Sequence, residues 1–325
     1  MDITKLSASS YKKWSFCEQA YLIENVLSYR FPAGKAANLG TIVHAVLEIL
    51  AEAKLARQNN QTEIETDIGK LNVDNIDIPI LTDNIYQLYI SKPELIHLKW
   101  EPKDYRDIKK YINKALTHNN GYFHPLNRKI VSSEQYIKIE IKEPWAILPD
   151  QTNFKITGFI DLITECNDNC LEITDYKSGN PNADFLTGKK IDEDFLFNDI
   201  QLRMYHYACC ELYGYNKNYL VTLFYLQGGP ITISFLPEDA METKERIKKR
   251  FLEIYNTKIP KLNKSYKCTR FCDYGKNKPA NSPIQFLDGQ ISPVGTPMCY
   301  CDLVKFETDR RGLKWVCENL KNDIK

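Results

Sequence analysis

Two alternating segments that face each other across a short turn constrain the fold of this chain more than any other feature. Residues 154–165 and 171–177 alternate between apolar and polar side chains, which predicts β-strands, and Cys166–Cys170 forms the turn between them. In an antiparallel hairpin centred on the middle of that turn, Asp161 lies directly opposite Asp175. The pattern therefore predicts a hairpin with two facing carboxylates.

Facing carboxylates need a compensating positive charge, because like charges across a ladder are destabilising. Lys177 shares a strand face with Asp175 and supplies one such charge. A divalent cation is the other expectation, since carboxylate oxygens suit Mg²⁺ or Mn²⁺. The alternative interpretation is an exposed hairpin whose charges align by coincidence, because a register slip of one residue would undo the pairing.

Two further groups are candidates for the same site. His44 interrupts an otherwise apolar helix, where a histidine is more often a core residue than a metal ligand. Gln201 and Tyr205 are four residues apart and share a helix face, which is also common on an ordinary amphipathic surface.

The order of predicted elements is α, α, β, β, β, α, β, β, α, which indicates a mixed α/β fold with one central β-sheet flanked by helices. Residues 1–56 are predicted to be the N-terminal helices of the core, and 57–128 a helical insertion that begins with a loop to about residue 77. Residues 129–259 hold the sheet, and 260–325 form a Cys-rich tail that packs back on the core.

The distribution of charge along the chain indicates which kind of partner it can bind. The 43 basic and 42 acidic residues nearly cancel, so the overall charge indicates no partner. Locally, ten Lys or Arg against two Glu lie between Lys244 and Arg270, which is the pattern that phosphate binding uses. The cations at the start of this run are the predicted DNA contacts: Lys244, Arg246, Lys248, Lys249 and Arg250.

No segment has the roughly 18 uninterrupted apolar residues of a spanning helix, and the N-terminus lacks the apolar region of a secretion signal. We therefore expect a cytoplasmic protein without a membrane partner. In a reducing compartment, clustered cysteines indicate metal binding or catalysis more often than disulfides. The candidate metal-binding cysteines are Cys17, Cys268, Cys272, Cys299 and Cys301.

Four motifs follow one another along the chain: His44, Asp161, Asp175-x-Lys177 and Gln201-x-x-x-Tyr205. In this order they resemble the motifs of the RecB-type branch of the PD-(D/E)XK nuclease superfamily. The branch includes AddB and the CRISPR-adaptation nucleases. The opening segment 6–10, Leu-Ser-Ala-Ser-Ser, is similar to the N-terminal signature of the branch. The resemblance runs from about residue 6 to 210.

The resemblance implies a restriction-endonuclease-like fold and a set of roles. By resemblance, His44, Asp161, Asp175 and the Tyr176 carbonyl would bind the catalytic Mg²⁺ or Mn²⁺. Lys177 would position or help to deprotonate the attacking water and would stabilise negative charge. The residues that would support the site are Gln201 and Tyr205, and Glu134 matches an acidic position whose role varies among members.

For the cysteines, the resemblance implies a [4Fe-4S] cluster held by Cys17 and three C-terminal cysteines. The last ligand would be Cys299 or Cys301, which follow Cys272 after an insertion of about 26 residues. The competing interpretation is a local zinc site of the four C-terminal cysteines, because tetrahedral thiolate coordination suffices for Zn²⁺. Free thiols in a structured tail are the third interpretation.

Together these features and the resemblance predict a metal-dependent DNA nuclease, with exonuclease as the expected mode of action. It would hydrolyse phosphodiester bonds at single- or double-stranded DNA ends in recombination, repair or phage and mobile-element DNA processing. The chain has no Walker motif, so it carries no helicase motor of its own. We expect a nuclease that acts alone, and the alternative is a subunit that works beside a helicase or recombinase. The alternative function is a non-catalytic DNA-binding or scaffolding subunit with a RecB-like fold.

Overall fold

The computed structural model describes residues 1, 3–29, 33–179, 191–266, 268, 272, 274–275 and 299–321. Lys267 and Arg270 of the predicted basic run lie outside the described residues. The chain divides into two compact units. The terminal unit comprises Met1–Pro32, Lys138–Thr157 and Lys244–Lys325, and the internal unit comprises Ala33–Ile137 and Gly158–Thr243.

The described strands are β1 (Lys5–Leu6), β2 (Glu63–Thr66), β3 (Gly69–Asn72), β4 (Lys129–Glu140), β5 (Lys155–Asn167), β6 (Cys170–Lys177), β7 (Asn218–Tyr225) and β8 (Gly229–Phe235). Six of them form one sheet in the order β1-β5-β6-β7-β8, with β4 also paired to β5. The pairs β1–β5 and β6–β7 are parallel, whereas β5–β6 and β7–β8 are antiparallel. The predicted mixed central sheet is therefore confirmed.

The described α-helices are α1 (Ala8–Phe16), α2 (Glu18–Tyr21), α3 (Lys35–Gln58), α4 (Ile78–Ile90), α5 (Pro102–Gly121), α6 (Glu193–Phe197), α7 (Ile200–Tyr213), α8 (Pro237–Asn256), α9 (Tyr300–Arg311) and α10 (Leu313–Asn319). Among the residues that the structure describes, no helix is both long and apolar enough to cross a membrane.

The core of the internal unit lies between one sheet face and the helices α3, α4 and α5. Ile42, Val46 and Leu50 are fully buried at helical spacing on α3. They belong to the same apolar cluster as Tyr176 of β6 and Phe224 of β7. Burying each aliphatic side chain contributes about 1.5–3 kcal/mol, so this cluster holds α3 firmly against the strands that carry the acidic residues.

The polar segment after α3 differs from the prediction. It was expected to be a loop from residue 57 to about 77, but β2 and β3 pair there as an antiparallel hairpin. Short strands with polar residues on both faces carry almost no alternation signal. The packing of Ile64, Ile68 and Leu71 against the helical core stabilises this hairpin, and this contribution is not visible in the local pattern.

Two helices predicted as continuous are interrupted. The sequence predicts one N-terminal helix over 11–27, capped by the segment 7–10, but α1 begins directly after Ser7 and breaks at Cys17, whose backbone is extended at φ −168° and ψ 119°. Apolar residues at helical spacing also predict one helix over 193–213, but it breaks between α6 and α7, where the Asp199 carboxylate accepts a bond from the Gln201 N–H at 2.7 Å. A residue that caps a new N-terminus ends the preceding helix, and this restart sets the position of Gln201.

Candidate active site

The β5–β6 hairpin has the predicted register. Leu162 pairs with Thr174 and Ile163 with Ile173, so paired numbers sum to 336 as the turn indicated. The ladder ends there, because the Asp161 side chain accepts the Tyr176 N–H at 2.7 Å. Asp161 therefore lies at the open end of the hairpin, close to the end of β6.

A histidine and two carboxylates converge at this end of the sheet. His44, Glu134 and Asp161 each offer a ligand atom, and these atoms lie within 4.8 Å of one another. His44 Nε2 is 2.9 Å from the Tyr176 carbonyl oxygen, and His44 Nδ1 is 3.4 Å from Asp161 Oδ2. When Nε2–H donates to that carbonyl, the Nδ1 lone pair faces the carboxylates, which is the arrangement of a metal-binding histidine.

Asp175 belongs to a second, adjacent group. It is almost fully buried, and its Oδ2 is 2.6 Å from Lys177 Nζ. Gln201 Nε2 donates to Asp175 Oδ1 at 2.9 Å, and the Tyr205 hydroxyl donates to the same oxygen at 3.4 Å. Gln201 and Tyr205 are also hydrogen-bonded to each other at 2.7 Å. The predicted supporting pair thus holds Asp175, which lies outside the group formed by His44, Glu134 and Asp161.

The electrostatics of the site indicate crowded negative charge. Burial and the adjacent Asp161 raise the pKa of Glu134 to about 7. Burial and the charge of Asp175 raise the pKa of Asp161. Burial lowers the pKa of His44, which favours the neutral imidazole that metals bind. A divalent cation would relieve this repulsion, so the donor set of carboxylates and imidazole fits Mg²⁺ or Mn²⁺.

Lys177 stays charged despite its position. Burial lowers its pKa, but the carboxylates of Asp175 and Asp161 outweigh that effect and raise the net pKa above the ordinary value. Its side chain remains partly exposed to a cleft of about 470 Å³ that is also lined by His44 and Glu134. The group can therefore donate to an anion in that cleft.

Two contributors to the site were missed by the sequence reasoning. A Cβ on Gly40 would lie 3.0 Å from the Ser178 side-chain oxygen, so glycine allows α3 to approach the end of β6. Glu48 lines the same cleft one helical turn after His44, and burial and the charge of Glu134 raise its pKa to about 7. Gly40 and Glu48 lie four residues before and four residues after His44, and this helical spacing was the signal that could have identified them.

The predicted DNA-contacting cations lie on α8: Lys244, Arg246, Lys248, Lys249 and Arg250. Some of this charge is used within the terminal unit. Lys244 forms an ion pair with Glu143, and Arg250 pairs with Glu253 at 3.2 Å and lies over the Tyr11 ring at 4.3 Å. These two side chains therefore have structural partners that the local sequence did not reveal.

The candidate metal-binding cysteines gather in the terminal unit. One cavity of about 190 Å³ is lined by Cys17, Cys268, Cys272, Cys299 and Cys301. No disulfide forms among the cysteines of the described residues. A hydrogen bond from Cys301 and backbone N–H groups lower the pKa of Cys272 to about 6. Several thiols around one cavity, one of them readily ionised, fit a thiolate-bound metal.

Comparison with known proteins gives one family. The sequence profile of the PD-(D/E)XK nuclease superfamily matches residues 5–276, which include the acidic residues, His44, Lys177, Gln201 and Tyr205 but not Cys299 or Cys301. A crystal structure from Eubacterium rectale named "Putative exonuclease" is similar at 12% sequence identity, with 88% of this chain and 92% of that chain covered and a TM-score of 0.47. No curated protein matches the chain.

Proposed function

The chain belongs to the PD-(D/E)XK nuclease superfamily, and we propose that it is a metal-dependent deoxyribonuclease that hydrolyses phosphodiester bonds at or near DNA ends. One observation carries this proposal. The ligand atoms of His44, Glu134 and Asp161 converge within 4.8 Å beside the ion pair of Asp175 and Lys177. Such a group combines metal ligands with a fixed cation, and both can stabilise the charge that develops during phosphodiester hydrolysis.

The catalytic metal would be Mg²⁺ or Mn²⁺, held by His44, Glu134, Asp161 and Asp175 with the carbonyl of Tyr176. When bound, the ion supplies a more acidic water and a Lewis acid for the phosphate. The raised carboxylate pKa values support this assignment, because a cation favours the ionised forms.

The protein groups around the metal ligands have separate tasks. Lys177 remains protonated, so it donates to a phosphate oxygen and stabilises the negative charge that develops there. Asp175 orients Lys177, and Gln201 and Tyr205 restrict the Asp175 carboxylate. Buried side chains whose polar atoms have hydrogen-bond or ion-pair partners are preorganised, so the ammonium group of Lys177 is in place before the substrate binds.

Within the superfamily we propose the RecB-type branch and a role in recombination, repair or mobile-element DNA processing. The support is that His44, Gln201 and Tyr205, which characterise that branch by resemblance, contact the acidic hairpin. We propose that the nuclease acts alone, and an assembly with a helicase or recombinase is the alternative.

The test uses end-labelled single- and double-stranded DNA with Mg²⁺ or Mn²⁺. We expect metal-dependent release of nucleotides by the wild-type protein and a loss of at least about a hundredfold in Asp175→Asn, since Asp175 is proposed both to bind the metal and to orient Lys177. Asp168→Asn makes the same change in the exposed turn of the same hairpin and should retain activity. Intact DNA under both metals would contradict the proposal and favour the non-catalytic subunit.

For the cysteine cavity we propose a structural [4Fe-4S] cluster, with a thiolate zinc site as the competing occupant. Cys17 supports the cluster, because a zinc site of the four C-terminal cysteines does not need a thiol from the N-terminal helices. Anaerobic purification with an absorption spectrum and an iron and zinc assay separates the two. Brown protein with about four irons is expected, whereas colourless protein with one zinc would contradict the cluster.

A further inference from the structure

Two large aromatic side chains lie exposed and in contact on the sheet of the internal unit. Tyr136 of β4 is 48% exposed and Phe159 of β5 is 55% exposed. Their ring centroids are 5.0 Å apart with an angle of 44° between the planes. Single exposed aromatic residues are common, but a contacting pair that leaves half of each ring in solvent forms a continuous apolar patch.

The patch continues the candidate active site along the same two strands. Phe159 and Asp161 share a face of β5, because side chains alternate, and they lie about 6.7 Å apart along the strand. Tyr136 follows Glu134 by two residues on β4. Along the two strands, the ligand atoms of Glu134 and Asp161 lie within 4.8 Å of each other, and the contacting rings of Tyr136 and Phe159 follow two residues away on each strand.

The other sides of both strands are closed. Ile137 and Ile160, the next residues along each strand, are buried in the core. A Cβ on Gly158 would contact the Tyr205 ring and Ile137, so that residue also faces inward. The side chains of Tyr136 and Phe159 therefore lie on the solvent side of these strands, where about half of each is accessible to a ligand.

We propose that Tyr136 and Phe159 form a stacking platform for an unpaired base next to the scissile phosphate, so that the enzyme binds single-stranded or frayed DNA ends in preference to intact duplex. This inference rests on the proposed nuclease function and specifies its substrate. A phosphate that the proposed metal ion and Lys177 would bind beside the carboxylates would leave the neighbouring nucleotide within reach of the rings. Bases within a duplex are already stacked and paired, whereas any unpaired base offers a face to an aromatic ring.

Binding and cleavage are measured separately. Binding is followed by fluorescence anisotropy of a fluorescein-labelled single strand and of the matching blunt duplex, with Ca²⁺ in place of Mg²⁺. We expect Tyr136→Ala and Phe159→Ala to weaken single-strand binding by roughly tenfold each, the size of one lost base–ring contact, and to change duplex binding less. In cleavage with Mg²⁺, the defect should appear mainly in KM for the single strand.

Conservative and matched variants separate stacking from folding. Tyr136→Phe and Phe159→Tyr keep an aromatic face and should bind the single strand like the wild type. Tyr215→Ala removes an exposed tyrosine at the end of α7 and should not weaken it. Thermal unfolding of each variant identifies any that fail to fold.

The outcomes separate this inference from the proposed function. Metal-dependent cleavage by the wild type, with single-strand binding unaffected in both alanine variants, would overturn the platform and leave the nuclease. Equal losses for single strand and duplex would also overturn it, because the patch would then serve general DNA or protein contact. Ring-dependent single-strand binding without cleavage by the wild type would support the platform and overturn the nuclease.

Discussion

Glu134 adopts a positive φ of 44° in the middle of β4, a backbone conformation that residues other than glycine rarely adopt in a strand. Such strain costs of the order of 1–3 kcal/mol and persists where the surrounding structure compensates for it. Here the distorted backbone directs the carboxylate toward His44 and Asp161. The strained backbone at Glu134 thus places a third candidate metal ligand beside His44 and Asp161.

Removing the charge of Glu134 should weaken divalent metal binding. Glu134→Gln keeps the size of the side chain but removes the anionic ligand, so we expect the affinity for Mn²⁺ to fall by roughly tenfold to a hundredfold. Isothermal titration with Mn²⁺ measures this change. Glu140→Gln on the same strand is the matched control, and equal Mn²⁺ affinity in both variants would exclude Glu134 from the ligand set.

His206 predicts a pH dependence of stability that is independent of the metal site. It is buried against Phe235 and Tyr219, and burial lowers its pKa to about 4. The unfolded chain, with a pKa near 6.5, binds the proton first. The free energy of unfolding should therefore fall as the pH decreases from about 6.5 to 4, by up to about 3 kcal/mol.

Chemical unfolding of His206→Phe between pH 4 and 7.5 tests this prediction. The variant should lose the His206 part of the pH slope, while His97→Gln, at an exposed histidine, should keep it. An unchanged slope in His206→Phe would show that other groups cause the acid sensitivity.

At the scale of elements, three pieces of secondary structure converge on one sheet end. The β5–β6 hairpin supplies Asp161 and Asp175, α3 supplies His44, and α7 supplies Gln201 and Tyr205. The residues at which α7 begins and at which α3 approaches β6 determine where these side chains lie. The cap at Asp199 starts α7 so that Gln201 lies in its first turn, and Gly40 lets α3 approach β6 closely.

Two neighbouring cations on α8 should have different roles: we expect Lys249 to contact DNA and Arg250 to stabilise the fold. Lys249 is exposed, so Lys249→Ala should weaken DNA binding uniformly across sequences and reduce the salt slope by about one unit. Arg250 lies over Tyr11 and donates to Ser15, so Arg250→Ala should lower stability by about 1 kcal/mol. Anisotropy at several salt concentrations and thermal unfolding give the two readouts. An unchanged salt slope in Lys249→Ala would exclude that residue from DNA contact.

At the scale of the whole molecule, the ends of the chain meet in the terminal unit. Cys17, Leu22 and Ile23 belong to one apolar cluster with Val304 and Val316. The Tyr274 hydroxyl donates to the Tyr29 carbonyl at 2.7 Å. A metal bound by Cys17 together with C-terminal cysteines would crosslink segments far apart in sequence, and closing so long a loop contributes stability.

Replacing Cys17 tests which thiols bind the metal. If the cluster includes Cys17, Cys17→Ser should lose iron and the visible absorption, and its melting temperature should fall. Cys166→Ser, at an exposed thiol in the β5–β6 turn, should retain both properties. Full metal content in Cys17→Ser would instead indicate a site made by the C-terminal cysteines alone.

Much of the fold could be predicted because its strands and longer helices have strong local patterns. Within the Cys-rich tail the sequence predicts one short helix, around residues 313–320, and α10 confirms it, whereas α9 was missed because its polar composition lacks an apolar stripe. The β2–β3 hairpin and the breaks at Cys17 and Asn198 were missed for a related reason. Their stability comes from packing and capping contacts that propensity does not contain.

The sequence by itself determined the register of the β5–β6 hairpin, because the turn length sets how the two strands pair. The described pairs end at Leu162 and Thr174, one position short of Asp161 and Asp175, so the direct facing of these two carboxylates stays a prediction. The sequence also determined the spacing of Gln201 and Tyr205 on one helix face. Only the tertiary structure decided that Glu134 joins His44 and Asp161, and that Cys17 shares a cavity with the C-terminal cysteines. Those contacts join segments far apart along the chain, and packing of the cores, rather than any local preference, brings them together.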